Sequence, residues 1–338
     1  MNLRQTRCNL MILFLALCAM SAARADVTLL NVSYDPTREM YAEYNVAFAK
    51  YWKAKTGETV NIKQTHGTSS KQATTVEEGL EADVVTLAMG FDVENLAATN
   101  FIAPNWSQRL PHDAAPYTST IAFLVRKGNP KNIRDWSDLV RFNVDIIIPS
   151  PKTAGAARWG YLAAWGYVLK QPGGTEEKAR EFTKRLYANT KGLEYGARGA
   201  ANTFTKGGRG DVLVTWENEA LKSMADEPDK YEIVYPSISI LAEPPVAVVD
   251  KMVDKHGTRK VAEAYLQYLY TPAGQEIAAK NFYRPTDPNV MAKFAKQFPP
   301  LKLFKLEDFF TNWQTANKMH FQDGGTFDKI YDQARVAS

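Results

Sequence analysis

From Val27 onward the chain alternates short β-branched, apolar runs with longer stretches whose apolar positions recur at helical spacing. Val27-Thr28-Leu29-Leu30-Asn31-Val32-Ser33-Tyr34 predicts a first strand. Asp35-Pro36-Thr37 reads as a helix start, because Asp is a preferred N-cap and Pro suits the first helical position. Tyr41, Tyr44, Phe48, Tyr51 and Trp52 follow at helical spacing and predict an aromatic core face, which Gly57 ends. Val60 to Gln64 predicts a second strand. His66-Gly67-Thr68-Ser69-Ser70-Lys71-Gln72 is a turn into another helix, with Val76 and Leu80 on its inner face. Ala82 to Ala88 predicts a third strand. This strand–helix alternation implies a parallel, helix-covered sheet.

The alternation resumes after Pro111 to Pro116. Tyr117 to Val125 is a long β-rich run, closed by Lys127-Gly128-Asn129-Pro130. Asp145 to Ile148 predicts a strand. The helix after it carries Trp159, Leu162, Trp165 and Leu169 on an inner face and stops at Gln171-Pro172-Gly173-Gly174. A short helix, Ala200 to Thr205, precedes a strand, Asp211 to Trp216, and a helix, Glu217 to Met224. Tyr231 to Val234 and Ile240 to Val249 bring the chain back, and the C-terminal third is predicted helical, with Val261, Tyr265, Leu266 and Tyr268 as a core face. Without a repeat or long linker, the two α/β sets are expected to sit tightly together, joined by strand-like connections near Val125 and Val246.

The first residues carry a different pattern. Arg4 and Arg7 precede an apolar run from Leu10 to Met20, broken by Cys18, and Ala23-Arg24-Ala25 is a small-x-small cleavage signal. This predicts a secretory signal peptide over residues 1–25, cleaved after Ala25, and an exported, periplasmic, soluble mature chain. The apolar run is shorter than the ~18 residues a membrane span needs. Both cysteines, Cys8 and Cys18, fall in that segment. The mature chain is therefore expected to build no disulfide and no cysteine nucleophile or metal site. The formal charge of +4 also changes: without Arg4, Arg7 and Arg24, 38 of the 41 basic residues remain against 37 acidic ones. A near-neutral chain without a basic block excludes a nucleic-acid binder.

The chemistry lies in turns. Tyr34-Asp35-Pro36-Thr37, His66-Gly67-Thr68-Ser69-Ser70, Pro151-Lys152-Thr153-Ala154-Gly155-Ala156-Ala157 and Gly196-Ala197-Arg198-Gly199 each leave a strand or extended run and open a helix. Unpartnered N–H groups and the helix dipole make such a turn an anion site, and small residues admit the anion to the backbone. Two of the turns fall in each α/β set, which suits an anion clamped between two lobes. Trp216, ending a strand, could add an indole N–H. Catalytic signals are thin. His66, His112, His256 and His320 show no metal-ligand spacing, and there is no nucleophile elbow or phosphate loop. Glu77-Glu78 and Glu217/Glu219 are expected to face solvent, and His66 to be a hydrogen-bonded loop residue.

At these turns the sequence resembles the periplasmic sulfate-binding proteins of ABC importers, over essentially the whole mature chain. The landmarks include Asn31-Val32-Ser33-Tyr34-Asp35-Pro36-Thr37-Arg38-Glu39, Ala115-Pro116-Tyr117-Thr118-Ser119-Thr120, Trp216-Glu217-Asn218-Glu219-Ala220 and Ala279-Lys280-Asn281-Phe282-Tyr283-Arg284-Pro285. The neighbouring thiosulfate-binding branch shares many of them. The resemblance implies a type 2, two-lobed α/β binding protein, each lobe a mainly parallel sheet, with residues 26–118 plus 243–338 as lobe 1 and 119–242 as lobe 2. It implies a monomer with no cofactor and no catalytic step, which delivers its anion to a membrane permease. Carried over residue by residue, the anion-holding positions are Asp35, Ser69, Ala154, Gly155, Ala156, Ala197 and Trp216, with Arg198 supporting the adjacent loop. Asp35 is expected to use its N–H and turn its carboxylate away as a helix cap. Two positions depart from the pattern: Ala154 stands where the family has serine, and Ala156 where it has a second glycine. The first removes a hydroxyl worth about 1.5–3 kcal/mol to a charged ligand. Thr153 is the residue placed to replace it.

Overall fold

The computed structural model describes residues 26–336, so the signal-peptide reading of residues 1–25 lies outside the described residues. In chain order the elements are β1 (Val27–Tyr34), α1 (Arg38–Thr56), β2 (Val60–Gly67), α2 (Ser69–Glu77), β3 (Val84–Thr86), α3 (Gly90–Ala98), β4 (Tyr117–Thr118), β5 (Ile121–Arg126) and β6 (Ile146–Ile147). Then come α4 (Gly155–Leu169), α5 (Glu176–Ala188), α6 (Ala197–Thr205), β7 (Val212–Trp216), α7 (Glu217–Asp226), β8 (Tyr231–Val234), β9 (Ser239–Ile240) and β10 (Val246–Val248). The C-terminal elements are α8 (Asp250–His256), α9 (Arg259–Tyr268), α10 (Pro272–Lys280), β11 (Arg284–Pro285), α11 (Pro288–Lys293), β12 (Leu303–Phe304), α12 (Trp313–Ala316) and α13 (Thr326–Val336).

The first sheet has strand order β10-β3-β1-β2. β1 runs parallel to both β2 and β3, with Tyr34 beside Gly67 and Ser33 beside Thr86, while β10 returns antiparallel on β3. Parallel strands finish at one edge of a sheet, so this register brings the turns after Tyr34, Gly67 and Thr86 together. The aromatic face of α1 packs as its spacing predicts. Tyr41, Tyr44, Phe48 and Trp52 are buried, and Tyr265 of α9 meets the rings of Tyr44 and Phe48 edge-on, each at 5.1 Å between centroids. Leu80 lies past the end of α2, which stops at Glu77, yet packs partly buried on the same core as Val76.

The second sheet, β6-β7-β5-β8, is mixed rather than mainly parallel. β6 and β7 are parallel, but β5 is antiparallel to both β7 and β8. β5 enters straight from the crossover, at the edge where β7 ends, so Ile121 pairs with Trp216 and the strand runs against its neighbours. The long run predicted from Tyr117 is accordingly split, β4 pairing with β11 and β5 with β7. Between them Ser119 exchanges N–H···O bonds with Ala242, each 2.9 Å. The two crossing segments therefore meet at Ser119 and Ala242; Val125 and Val246 lie inside β5 and β10.

Helix α4 is buried around its whole circumference instead of along one face. The cover comes from the far end of the chain. β12 pairs in parallel with β9, Gly166 leaves no room for a Cβ beside Phe304, and the Tyr161 hydroxyl meets His320 Nδ1 at 2.9 Å. Trp313 packs edge-on to Trp159 at 4.7 Å, and Phe327 and Tyr331 of α13 stack near Tyr187 of α5. Residues 303–336 thus pack mainly on the second sheet's helices. Among the described residues no helix is long and apolar enough to cross a membrane.

Candidate functional site

The turns singled out from sequence converge on a narrow cavity of about 10 Å³, lined by Tyr34, Asp35, Pro36, Gly67, Thr68, Ser69, Ala88, Ala154, Gly155, Ala156, Ala197 and Trp216. All seven anion-holding positions carried over from the sequence are in that set. Larger hollows, of about 330 and 280 Å³, lie beside Arg198 and beside β10, and none of the seven positions lines either. So narrow a space, as the helix ends stand here, suits only a compact species.

The lining is assembled by helix starts. Tyr34 precedes the 3-10 turn Asp35–Thr37, Thr68 is the N-cap of α2, Ala154 of α4 and Gly196 of α6. These ends touch one another: a Cβ on Gly196 would lie 3.2 Å from Thr68 Cγ2, and one on Gly155 only 2.6 Å from Ala88 Cβ. The amides of Gly155, Ala156 and Ala197 are first-turn N–H groups with no place in their own helix ladders. Each α-helix N-terminus presents about half a positive charge to the space it faces.

Among the described residues no lysine, arginine or histidine lines the cavity, and Asp35 is its only formal charge. That carboxylate is turned onto Arg38 at 2.6 Å and makes no helix-cap bond, because Asp35 sits inside the 3-10 turn and Tyr34 occupies the cap position. The Trp216 ring is fully buried, 6.2 Å from the Tyr34 ring and 6.4 Å from Trp159, and its Nε1–H has no hydrogen-bond partner. An orphaned buried donor costs about 1–3 kcal/mol, so its presence in this cavity signals an acceptor to come.

The Ser69 hydroxyl beside the cavity is committed elsewhere. Ser69 Oγ donates to Asp92 Oδ2 at 2.5 Å and accepts the Ala88 N–H at 2.9 Å, which leaves the Ser69 backbone N–H for a ligand. Burial pushes the Asp92 carboxyl up, while Ser69, Arg158 and Ser70 oppose the shift. Thr153, placed by sequence as a substitute donor, does not line the cavity. Its hydroxyl bonds Tyr195 O at 2.5 Å, held there by the turn that precedes α4. The Ala154 amide bonds Ser150 O at 2.9 Å, so Ala154 contributes wall rather than a free donor. Burial and the Arg38 charge pull the His66 imidazole down to about 4, against a hydrogen bond to the Tyr34 backbone that fits the bonded loop residue expected; its Nδ1 lacks a partner.

Arg198 stands behind Ala197 and joins the two sides. It pairs with Glu39 of α1 at 2.9 and 3.0 Å and with Glu219 of α7 at 3.0 Å through two nitrogens. Glu217 and Glu219 are buried, not solvent-facing: Glu217 grips Arg284 at 2.6 and 2.7 Å. Burial pushes the Glu219 carboxyl up against the pull of Arg198. Sequence reasoning found neither these partners nor Asp92, since each lies far along the chain from the turn it supports. Wall residues such as Ala88 follow from the first sheet's register.

Residues 36–284 match the model of the bacterial extracellular solute-binding proteins. The chain belongs to that family. This solute-binding protein is 57% identical to the sulfate-binding protein of Escherichia coli (strain K12), over 93% of its own length and 96% of the relative's. It is 51% identical to the thiosulfate-binding protein of Pseudomonas aeruginosa, over 92% of its own length and 94% of the relative's. Its fold superposes on the sulfate-binding protein SubI from Mycobacterium tuberculosis H37Rv with a TM-score of 0.79 at 28% identity, covering 88% of this chain and 100% of that one. The family is a class of binding modules, so the solute-binding protein is a carrier of its ligand and not an enzyme.

Proposed function

We propose that this solute-binding protein is exported through residues 1–25 and, as a periplasmic monomer, captures sulfate between two lobes for a membrane permease of an ABC importer. The observation that carries the reading is the unpartnered Trp216 N–H, set among free helix N-terminal amides in a cavity without cationic side chains. Asp35, Ser69, Gly155, Ala156 and Ala197 would donate backbone N–H groups and Trp216 its indole, with Ala154 as wall. The lobes would be residues 26–118 with 243–302, and 119–242 with residues 303–336, which the sequence alone assigns to the first lobe.

Sulfate is a full dianion at neutral pH and has no proton to place. Every polar group available to it here donates. Hydrogen phosphate would set its own O–H against another donor and leave both unpaired, which disfavours it. Closing the lobes about the Ser119–Ala242 clasp would strip water from the anion and strengthen every dipole that faces it. A second reading, thiosulfate, draws support from Ala154, where no hydroxyl competes for the space one larger sulfur would take.

The test is titration calorimetry on ligand-stripped protein beginning at Asp26, with sulfate first and then thiosulfate and phosphate as competitors near pH 8. Tight sulfate binding that phosphate cannot displace is the expected result. Displacement of sulfate by thiosulfate at lower concentration would transfer the assignment to the second reading. Binding of phosphate alone would overturn the donor-only site.

A further inference from the structure

The turn that carries Trp216 is anchored by a buried ion pair that stays clear of the anion cavity. Trp216 is the last residue of β7, and α7 begins with Glu217-Asn218-Glu219. The Glu217 side chain is fully buried and Arg284 is 7 % exposed. Their two bonds, 2.6 and 2.7 Å, have fork-to-fork geometry, and Arg284 also donates to Pro299 O at 3.0 Å. Arg284 belongs to β11, which pairs with β4 immediately before the clasp at Ser119. The backbone makes the same connection, the Glu217 N–H donating to Thr120 O at 2.9 Å. Asn218 completes it, accepting from Ser119 Oγ at 3.1 Å and donating to the Tyr283 hydroxyl at 3.2 Å. The residue that aims the indole is thus bolted to the segment about which the lobes would turn.

We propose that Glu217, held by Arg284, is a positioning residue for the Trp216 indole, so that anion affinity depends on an ion pair that never touches the anion. The proposal rests on the reading of Trp216 as an anion donor. A planar carboxylate gripped at both oxygens fixes the rotation of the turn one residue before it, and the indole has no other polar contact to fix its aim. With the grip removed, Trp216 keeps its packing but loses its direction. Neither Glu217 nor Arg284 lines the cavity.

A double-mutant cycle with sulfate as the probe separates this role from a merely structural one. Glu217→Gln and Trp216→Phe are made singly and together, and Kd is measured by calorimetry on protein shown folded by thermal melting. Trp216→Phe alone is expected to weaken sulfate at least tenfold, and Glu217→Gln alone at least fivefold. In the Trp216→Phe background Glu217→Gln is expected to cost less than twofold, because there is no indole left to aim. An equal loss in both backgrounds, or wild-type affinity in folded Glu217→Gln, overturns the proposal. Wild-type affinity in Trp216→Phe instead overturns the assignment of the indole to the anion, a separate failure. If Glu217→Gln does not fold, Arg284→Lys, which keeps the charge and loses the fork, enters the same cycle with the same criteria.

Discussion

Replacing Gly155 by Ala would act on closure and on nothing else nearby. Gly155 opens α4 and lies against Ala88, which follows β3; a Cβ built on it stands 2.6 Å from Ala88 Cβ and 3.5 Å from Met89 Cγ. Ordinary carbon–carbon contact is about 3.5–4.0 Å, so the two surfaces must part by roughly 1 Å. The Trp159 Nε1–Ala88 O bond, now 2.9 Å, would stretch beyond hydrogen-bonding distance and forfeit about 0.5–1.5 kcal/mol. The Gly155 amide would retreat from the anion by a similar distance and give up much of a charged hydrogen bond, about 1.5–3 kcal/mol. Together these predict a loss in sulfate affinity on the order of 30-fold to 1,000-fold. The separated halves should not suffer, since Ala is favoured over Gly within a helix by up to about 1 kcal/mol. Calorimetry with sulfate, melting of ligand-free protein and small-angle scattering with saturating sulfate form the assay. Gly199→Ala, where nothing lies within 4 Å, is the control and should bind as wild type. Gly155→Ala protein that binds sulfate within twofold of wild type and compacts to the same radius would refute the reasoning.

Arg198→Gln should weaken sulfate binding at least tenfold and destabilise the protein by roughly 3–5 kcal/mol, because buried Glu219 loses its counter-charge; unchanged chemical denaturation would sink that account. Ala154→Ser should raise the melting temperature of the ligand-free protein, since Ala154 holds an N-cap backbone conformation with no side-chain cap and Ser there contributes about 0.5–2 kcal/mol; a lower midpoint would contradict it. His256 bridges Asp83 and Glu81 at 3.0 Å through both ring nitrogens, and those two hydrogen bonds raise its pKa. A raised folded-state pKa contributes stability that is fully present below the ordinary histidine value of about 6.5 and is lost as pH rises through the raised one. His256→Gln should therefore flatten the fall in stability on the alkaline side of that value, and a slope identical to wild type would exclude His256 as its source.

The strand-to-helix turns were legible because their signals are local, although the helix read from Ala200 begins at Ala197 and the cap read at Asp35 falls on Tyr34. Val27–Tyr34, the aromatic face of α1 and the small-residue turns need only neighbours a few positions away to declare themselves. What escaped depends on distant chain. The inner-face reading of α4 failed on its far side, which Phe304 and His320 cover from over a hundred residues along. The antiparallel run of β5 follows from where the crossover enters, and spacing along the strand does not encode that. Glu217 and Glu219 looked like an exposed acidic pair because their counter-ions, Arg284 and Arg198, lie elsewhere in the sequence. Thr153 carried the right chemical group one residue from the cavity, and the local turn spent it on Tyr195. Composition reveals which donors a chain owns; only the fold reveals which remain free.

Most donors facing the cavity are main-chain N–H groups, and this bears on how the site can change over generations. Every residue except proline carries that group, so a contact made through it is written in the path of the backbone and not in any one codon. Such a pocket tolerates drift at its own lining, provided the newcomer is small: Ala154 and Ala156 stand beside Gly155 without closing the cavity. Trp216 is the exception, since no other side chain offers an indole N–H at that reach. Inheritance should therefore guard that one position by identity and the others only by size.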